Sequence, residues 1–350
     1  MAPVTEAVLT VSFGEGPHWD VDEQVLYFAD FTNNTINKYN PATRERTCSE
    51  FDDHVSFIIP IEGKKHHFLG GMKRNIVEIE WNGENDTARI VRIVAQVDKD
   101  KPINVFNDGK ADPRGRLYAG TFGYNKSGSM TTESFVRENG SLYRLDEDGQ
   151  IHKLDDKITI ANGLAWDIER KYFYYVDSMD GIRRYDYDIE TGNISNCQKI
   201  FIPAEHGLKG SCDGMTIDTD GNLWVALFEA SKVIKVEGET GKLLQKVTIP
   251  TNEVTSVAFG GPNLDILYVT SFNTRCKKTE VVWGAALYEV TGLGVRGHPP
   301  SKAFNLILRK RSHNGAFDKS STISFGEGPH WDVHVLYYVN ILDNTINKYN

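Results

Sequence analysis

Six times along this chain of 350 residues, a short apolar segment starts at a polar, acidic or small position, turns a sharp corner and returns as a second apolar segment. The clearest copy runs from Ser211 to Ala226. Met215 and Ile217 alternate along one strand, Asp218-Thr219-Asp220-Gly221 turns the chain, and Leu223-Trp224-Val225-Ala226 opens the return strand. Related hairpins occupy residues 14–28, 107–119, 162–176 and 255–269, and a degenerate one, Val55 to Pro60, fits between the first two. With Glu15, Ser56, Asn107, Asn162, Asp213 and Ser256 as equivalent points, the spacings are 41, 51, 55, 51 and 43 residues. A third strand follows most hairpins, as at Thr35 to Pro41, Ile182 to Asp188 and Val233 to Gly241.

A period of roughly 40 to 50 residues with about four strands per unit is the pattern of a β-propeller. The expectation is an all-β, six-bladed propeller. Helical periodicity is absent, and helical turns are expected only in loop insertions such as 127–138. An open ring would leave strand edges unpaired. Thr5 to Ser12 is placed to close it, completing a last blade whose earlier strands end near Val290.

The propeller is thus expected over residues 1–300, finished by about Gly297. Residues 301–350 read as a linker plus a partial duplicate of the first blade. Ser324 to Val333 copies Ser12 to Val21 without change, and Val335 to Asn350 matches Val25 to Asn40 at 10 of 16 positions. Six units already close the ring, so this tail is expected to be poorly ordered, with Glu327 outside the site.

The net charge is -9, and no Lys/Arg patch offers itself to phosphates, which argues against a nucleic-acid partner. Arg309-Lys310-Arg311 reads as a solvated segment. The N-terminus lacks the basic start and apolar run of a secretory signal, and no window reaches the length of a membrane span. Cys48, Cys197, Cys212 and Cys276 have no metal-like spacing and read as reduced thiols. A cytoplasmic monomer acting on a small molecule, with no membrane partner, is the expectation.

The innermost strand of each propeller blade lines the central channel, so equivalent strand starts meet there. Glu15, Asn107, Asn162 and Asp213 would then converge as two carboxylates and two amides. Hard oxygen donors without Cys or His suit Ca²⁺, Mg²⁺ or Mn²⁺ better than a structural zinc. Each Asp or Asn alone reads equally as a turn cap. Four in register favour a cation, because two carboxylates buried together without one are costly.

Several blocks carry a resemblance. Gly14-Glu15-Gly16-Pro17-His18-Trp19, Phe106-Asn107-Asp108-Gly109-Lys110-Ala111-Asp112-Pro113, Ala161-Asn162-Gly163-Leu164-Ala165-Trp166, Asp213 to Asp218 with Gly221 to Ala226, and Val290 to Gly297 resemble the regucalcin, gluconolactonase and luciferin-regenerating enzyme family. The similarity spans roughly residues 5 to 297, and Val254 to Asp265 leans towards the insect luciferin-regenerating, regucalcin-like branch. The resemblance implies a six-bladed propeller with one divalent cation, Ca²⁺ or else Zn²⁺, Mn²⁺ or Mg²⁺, held by Glu15, Asn162 and Asp213. It also implies that Asn107 contacts substrate or coordinated water, and that Asp213 helps activate water against a lactone carbonyl.

Two positions depart from the lactonase pattern. Val105 stands where regucalcin-like lactonases carry an Arg, and Asn125 aligns with an acidic residue of theirs. With Asn107, these are the expected substrate contacts, and the changes point to a less polar ligand or to weakened sugar-lactonase activity. The loop Phe122 to Asn139, which carries Phe135, reads as a lid or as an ordinary surface excursion. His18 is expected to buttress the turn, Cys212 to pack, His66-His67 to lack a metal role, and Asp218 and Asp220 to serve the turn. The leading function is a metal-dependent lactone hydrolase. Alternatives are a luciferin-regenerating-type enzyme on an oxyluciferin-like heterocycle, a non-enzymatic calcium-binding protein, and an organophosphate-ester hydrolase.

Overall fold

The second strand of each repeat is apolar along its whole length, and this decides how the repeats pack. Val25–Asp30 is buried at all six positions, and Tyr172–Asp177, Asn222–Phe228 and Ile266–Phe272 are buried at all but their ends. Such strands need cover on both faces. In the structure, a computed structural model describing residues 2–8, 11–125, 134–272, 285–306, 336–340 and 345–349, neighbouring sheets supply that cover.

Six antiparallel sheets form the blades of a β-propeller. Their innermost strands are Gly14–Asp20, Val55–Pro60, Asn104–Ala111, Ala161–Asp167, Ser211–Ile217 and Glu253–Gly260. Apolar clusters fill the space between successive blades, as where Phe57 and Leu69 of the second meet Phe106, Leu117 and Leu145 of the third. Outermost strands such as Arg89–Gln96 are largely exposed.

The N-terminal strand closes the ring as expected. Val4–Val8 pairs antiparallel with Leu287–Val290, becoming the outer strand of the last blade. In the insertion 127–138, where a helical turn was anticipated, residues 127–133 lie outside the described residues, Ser134 is in 3-10 conformation, and Phe135–Val136 pairs as a strand with Gly123 and Tyr124. No helix among the described residues is long and apolar enough to cross a membrane.

Polar contacts also tie blades together. Arg116 Nε donates to Asp112 Oδ2 at 2.7 Å, Tyr187 donates its hydroxyl to the same oxygen at 2.7 Å, and Arg116 Nη1 donates to Glu190 O across to the next blade.

Two compact units divide the chain, Met1–Leu306 and Ile307–Asn350. Beyond Gly297 the first unit continues along its own blades. Ala303 N donates to Pro60 O, Phe304 N to Gly115 O, and Lys302 pairs with Asp20 and Asp22. In the second unit, Leu336–Asn340 and Thr345–Tyr349 form an antiparallel hairpin. Leu336 faces Tyr349 and Asn340 faces Thr345, the register in which Leu26 faces Tyr39 and Asp30 faces Thr35. Glu327 lies outside the described residues.

Candidate metal centre

All six innermost strands break register near their starts. Pairing skips between Glu15 and His18, Val55 and Ile58, Phe106 and Gly109, Ala161 and Leu164, Cys212 and Met215, and Val254 and Ser256. Such a bulge leaves residues out of the ladder and re-aims their side chains. Asn107, Asn162 and Asp213 sit inside these bulges, and Glu15 stands at the edge of one. Adjacent strands approach closely there: a Cβ on Gly214 would lie 1.9 Å from Ser256 Oγ.

The structure brings Glu15, Asn107, Asn162 and Asp213 to one cavity of about 150 Å³ at the end of the channel where the inner strands begin. Glu15, Asn162 and Asp213 are all buried. A larger cavity of about 380 Å³ lies where the inner strands end, lined by Lys110, Leu164, Trp166 and Phe259, and it contains none of these four side chains. The smaller cavity is therefore the candidate centre.

Hydrogen bonds orient the two amides. Asn162 Nδ2 donates to Ser178 Oγ at 2.9 Å, which turns Asn162 Oδ1 towards Asn107. Asn107 Nδ2 donates to Ala161 O at 2.7 Å and to Asn162 Oδ1 at 3.1 Å. Both protons of Asn107 Nδ2 are thus engaged. Its Oδ1, and a second lone pair on Asn162 Oδ1, keep acceptor capacity.

The carboxylates are in a poor situation by themselves. Asp213 Oδ1 is buried without a hydrogen-bond partner. Burial, then the charges of Asp213 and Asp108, hold the Glu15 carboxyl well above its usual range, against the Gly16 backbone hydrogen bond. Burial, then Asp108, does the same to Asp213, against the hydrogen bond from Gly214. No Lys, Arg or His is among the described residues lining the cavity.

Two carboxylates and an amide, with an orphaned oxygen and no resident positive charge, fit a hard divalent cation. Among the described residues no group of three or more His, Cys, Asp or Glu is arranged for a metal. The Glu15-Asn162-Asp213 set contains two such residues and draws its third donor from an amide.

Val105 and Asn125 are not among the cavity-lining residues. Val105 is buried opposite Phe122 in the strand pair, while Asn125 is exposed and donates its backbone N–H to Ser134 O. His18 is buried, and burial lowers its pKa to about 4, so it is a neutral neighbour of the channel. Cys212 packs in the core and burial pushes its thiol up. Asp218 accepts from Asp220 N, Asn222 N and Trp224 Nε1, which is turn and core work.

Sequence reasoning missed Asp108, a buried carboxylate that accepts from Gly109 N at 2.8 Å and faces Lys110. It also missed a wall of aromatics, since Phe13, Phe31, Phe122, Phe135, Phe228 and Phe272 all line the cavity. The signal was positional. Second strands run back towards the start of the first, so their last residues, such as Phe228 and Phe272, rim the mouth.

Known proteins share this framework. The family described as SMP-30/Gluconolactonase/LRE-like region matches residues 13–273. Regucalcin of Xenopus laevis is 35% identical over 304 residues, covering 83% of this chain and 95% of that protein. Regucalcin of Gallus gallus is 34% identical over 292 residues, covering 82% and 93%. A solved luciferin-regenerating enzyme shares 39% identity at a TM-score of 0.81, covering 87% of this chain and all of the other. By the span of the family match and the identity of these relatives, the chain belongs to the SMP-30/gluconolactonase/LRE-like family.

Proposed function

We propose that the protein is a divalent-cation-dependent hydrolase of lactones, with Glu15, Asn162 and Asp213 holding the cation. The observation that carries this reading is Asp213, a buried carboxylate with an unpartnered oxygen, destabilised by its neighbours in a cavity with no cationic side chain among the described residues. The gluconolactonase in the family description supports the reaction class. A divalent cation supplies Lewis acidity there, polarising a carbonyl oxygen and making water a stronger nucleophile at neutral pH.

The chain's own groups supply the rest. Asp213 Oδ1 is the base: it takes a proton from the attacking water and returns it to the departing ring oxygen, so that one water and one lactone give one hydroxy acid. Asn107 Oδ1 accepts from the attacking water or a substrate hydroxyl, and its Nδ2 keeps Asn162 in place. The carboxylates of Glu15, Asp213 and Glu229 disfavour retention of an anionic product. Free thiols at Cys48, Cys197 and Cys212 support a cytoplasmic setting, in which the protein acts as a monomer.

The test is lactone hydrolysis by metal-stripped protein with Ca²⁺, Mn²⁺, Mg²⁺ or Zn²⁺ restored, beside Asp213→Ala. The expected result is turnover that the cation restores and the variant lacks. No turnover with any cation, in protein shown by calorimetry to bind one, would refute the hydrolase and leave a cation-binding role.

A further inference from the structure

We propose that the substrate is a neutral cyclic ester carrying or fused to one flat aromatic ring, in place of a polyhydroxylated sugar lactone. This rests on the hydrolase reading and specifies what its cavity accepts.

The argument begins with where phenylalanine is found. Six of the described residues lining the cavity are Phe, joined by Ile160 and Met179. Phe13, Phe31, Phe135, Phe228 and Phe272 are only partly buried, although the propeller has ample core to bury such side chains. A contiguous wall of half-exposed aromatic surface around a concavity marks a ligand site.

The rings are also organised. Phe13 stacks on Phe272 at 4.2 Å between centroids, Phe272 is stacked with Phe228 at 6.4 Å, and Phe122 and Phe135 tilt together at 5.6 Å. Edges and faces at these separations match the arrangements aromatic rings adopt with one another. A seventh ring entering the cavity meets the same kind of partners.

Size and polarity point the same way. The cavity, at about 150 Å³, has the volume of a benzene-sized guest, with the phenylalanines, Ile160 and Met179 forming the apolar part of its lining. A sugar lactone needs hydrogen-bond partners for each ring hydroxyl, and burying one unpaired is unfavourable. The polar groups of this cavity are Glu15, Asn107, Asn162, Ser211 and Asp213 on the inner strands, with Ser178 and Glu229 just beyond the second strands. Glu15, Asn162 and Asp213 would be committed to the cation, Asn107 Nδ2 already donates to Ala161 O and Asn162 Oδ1, and Ser178 Oγ already accepts from Asn162 Nδ2. Few are left for a polyol. The absence of a lining Lys, Arg or His among the described residues further disfavours an anionic substrate.

The test uses the full chain loaded with Ca²⁺ and compares dihydrocoumarin, δ-valerolactone and glucono-δ-lactone. The expected kcat/KM for dihydrocoumarin exceeds that for glucono-δ-lactone by about 100-fold, the upper range of discrimination by an apolar pocket. Phe228→Ala should raise KM for dihydrocoumarin about 10-fold, a larger rise than it causes for glucono-δ-lactone. Phe228→Leu, which keeps an apolar side chain, checks that any loss is not misfolding. Binding of 3,4-dihydroquinolin-2-one, a lactam that does not turn over, is measured by calorimetry in parallel. Glucono-δ-lactone matching or exceeding dihydrocoumarin would overturn the aromatic inference and leave the hydrolase standing. Lactam binding that Phe228→Ala weakens, without turnover of any lactone, supports the aromatic site and overturns the hydrolase instead. No lactam binding up to its solubility, with no preference among the lactones, overturns the inference.

Discussion

In protein stripped of divalent cations, Asp213→Asn should stabilise the fold at neutral pH, and in Ca²⁺ the same change should destabilise it relative to wild type. The inversion follows from the electrostatics of the site. Burial and neighbouring carboxylates hold Glu15 and Asp213 well above their usual range. The folded chain therefore keeps protons that the unfolded chain releases above a pKa of about 4. Their contribution is fully present below that unfolded value and is lost as pH rises towards the raised folded values. Each retained proton gives a slope of about 1.4 kcal/mol per pH unit, and two give about 2.7. Asp213→Asn removes one of the two. Across two pH units in which wild type stays protonated, the variant gains about 2 to 3 kcal/mol.

Other carboxyls act in the opposite sense, because Asp20 is held low by backbone hydrogen bonds and Lys302, and Glu78 by Lys64 and Arg92. They are common to both proteins and cancel in the difference. With Ca²⁺ at about 1,000 times its dissociation constant, wild type gains about 4.1 kcal/mol that a variant unable to bind forgoes, which outweighs the variant's advantage in chelator. The assay is urea unfolding followed by tryptophan fluorescence at pH 5, 6 and 7, in chelator and in Ca²⁺. Buried Trp19, Trp81 and Trp224 supply the signal. A difference in chelator that does not grow with pH would show that these carboxylates are not strained. Equal stabilisation of both proteins by Ca²⁺ would remove Asp213 from the cation site.

Three further outcomes follow from packing. Gly214→Ala places a Cβ 2.4 Å from Ser256 Cβ and should cost about 1 to 3 kcal/mol in urea unfolding, while weakening Ca²⁺ affinity in calorimetry by displacing Asp213. Arg116→Met strips the buried Asp112 of its guanidinium and should cost about 3 to 5 kcal/mol in urea unfolding. A chain ending at Leu306 keeps the closed ring and should unfold at the temperature of the full chain, with unchanged lactone turnover; a lowered midpoint by calorimetry would contradict this.

The fold was legible because a propeller writes itself locally. Each repeat states its own hairpin in adjacent residues, and Glu15, Ser56, Asn107, Asn162, Asp213 and Ser256 all fall on innermost strands. Convergence of Glu15, Asn107, Asn162 and Asp213 then needs only the ring. Val105 and Asn125 fared differently, since alignment to a pattern locates a residue along a strand or loop without saying which way it faces. The aromatic wall was hidden for a related reason. Phe228 and Phe272 end strands whose preceding residues are core, and nothing in the local pattern separates the last buried position from the first one at the mouth.

The bulges explain why the site could not be read in full. In an unbroken strand Asn107 and Asp108 would point to opposite faces of the sheet. Pairing that skips from Phe106 to Gly109 frees both from that alternation. Asn107 reaches Ala161 and Asn162 on the next blade, while the charge of Asp108 acts on Glu15 and Asp213 from other blades. Asn107 is thus a tether between blades, and Asp108 adds to the negative potential that a cation would relieve. The dipeptides at the skips have no shared signature: Gly16-Pro17, Ser56-Phe57, Asn107-Asp108, Asn162-Gly163 and Asp213-Gly214. Bulging here follows from how closely six inner strands approach one axis, a property of the assembled ring, and that is why Asp108, passed over in the sequence, emerges in the structure as part of the negative charge around Glu15 and Asp213.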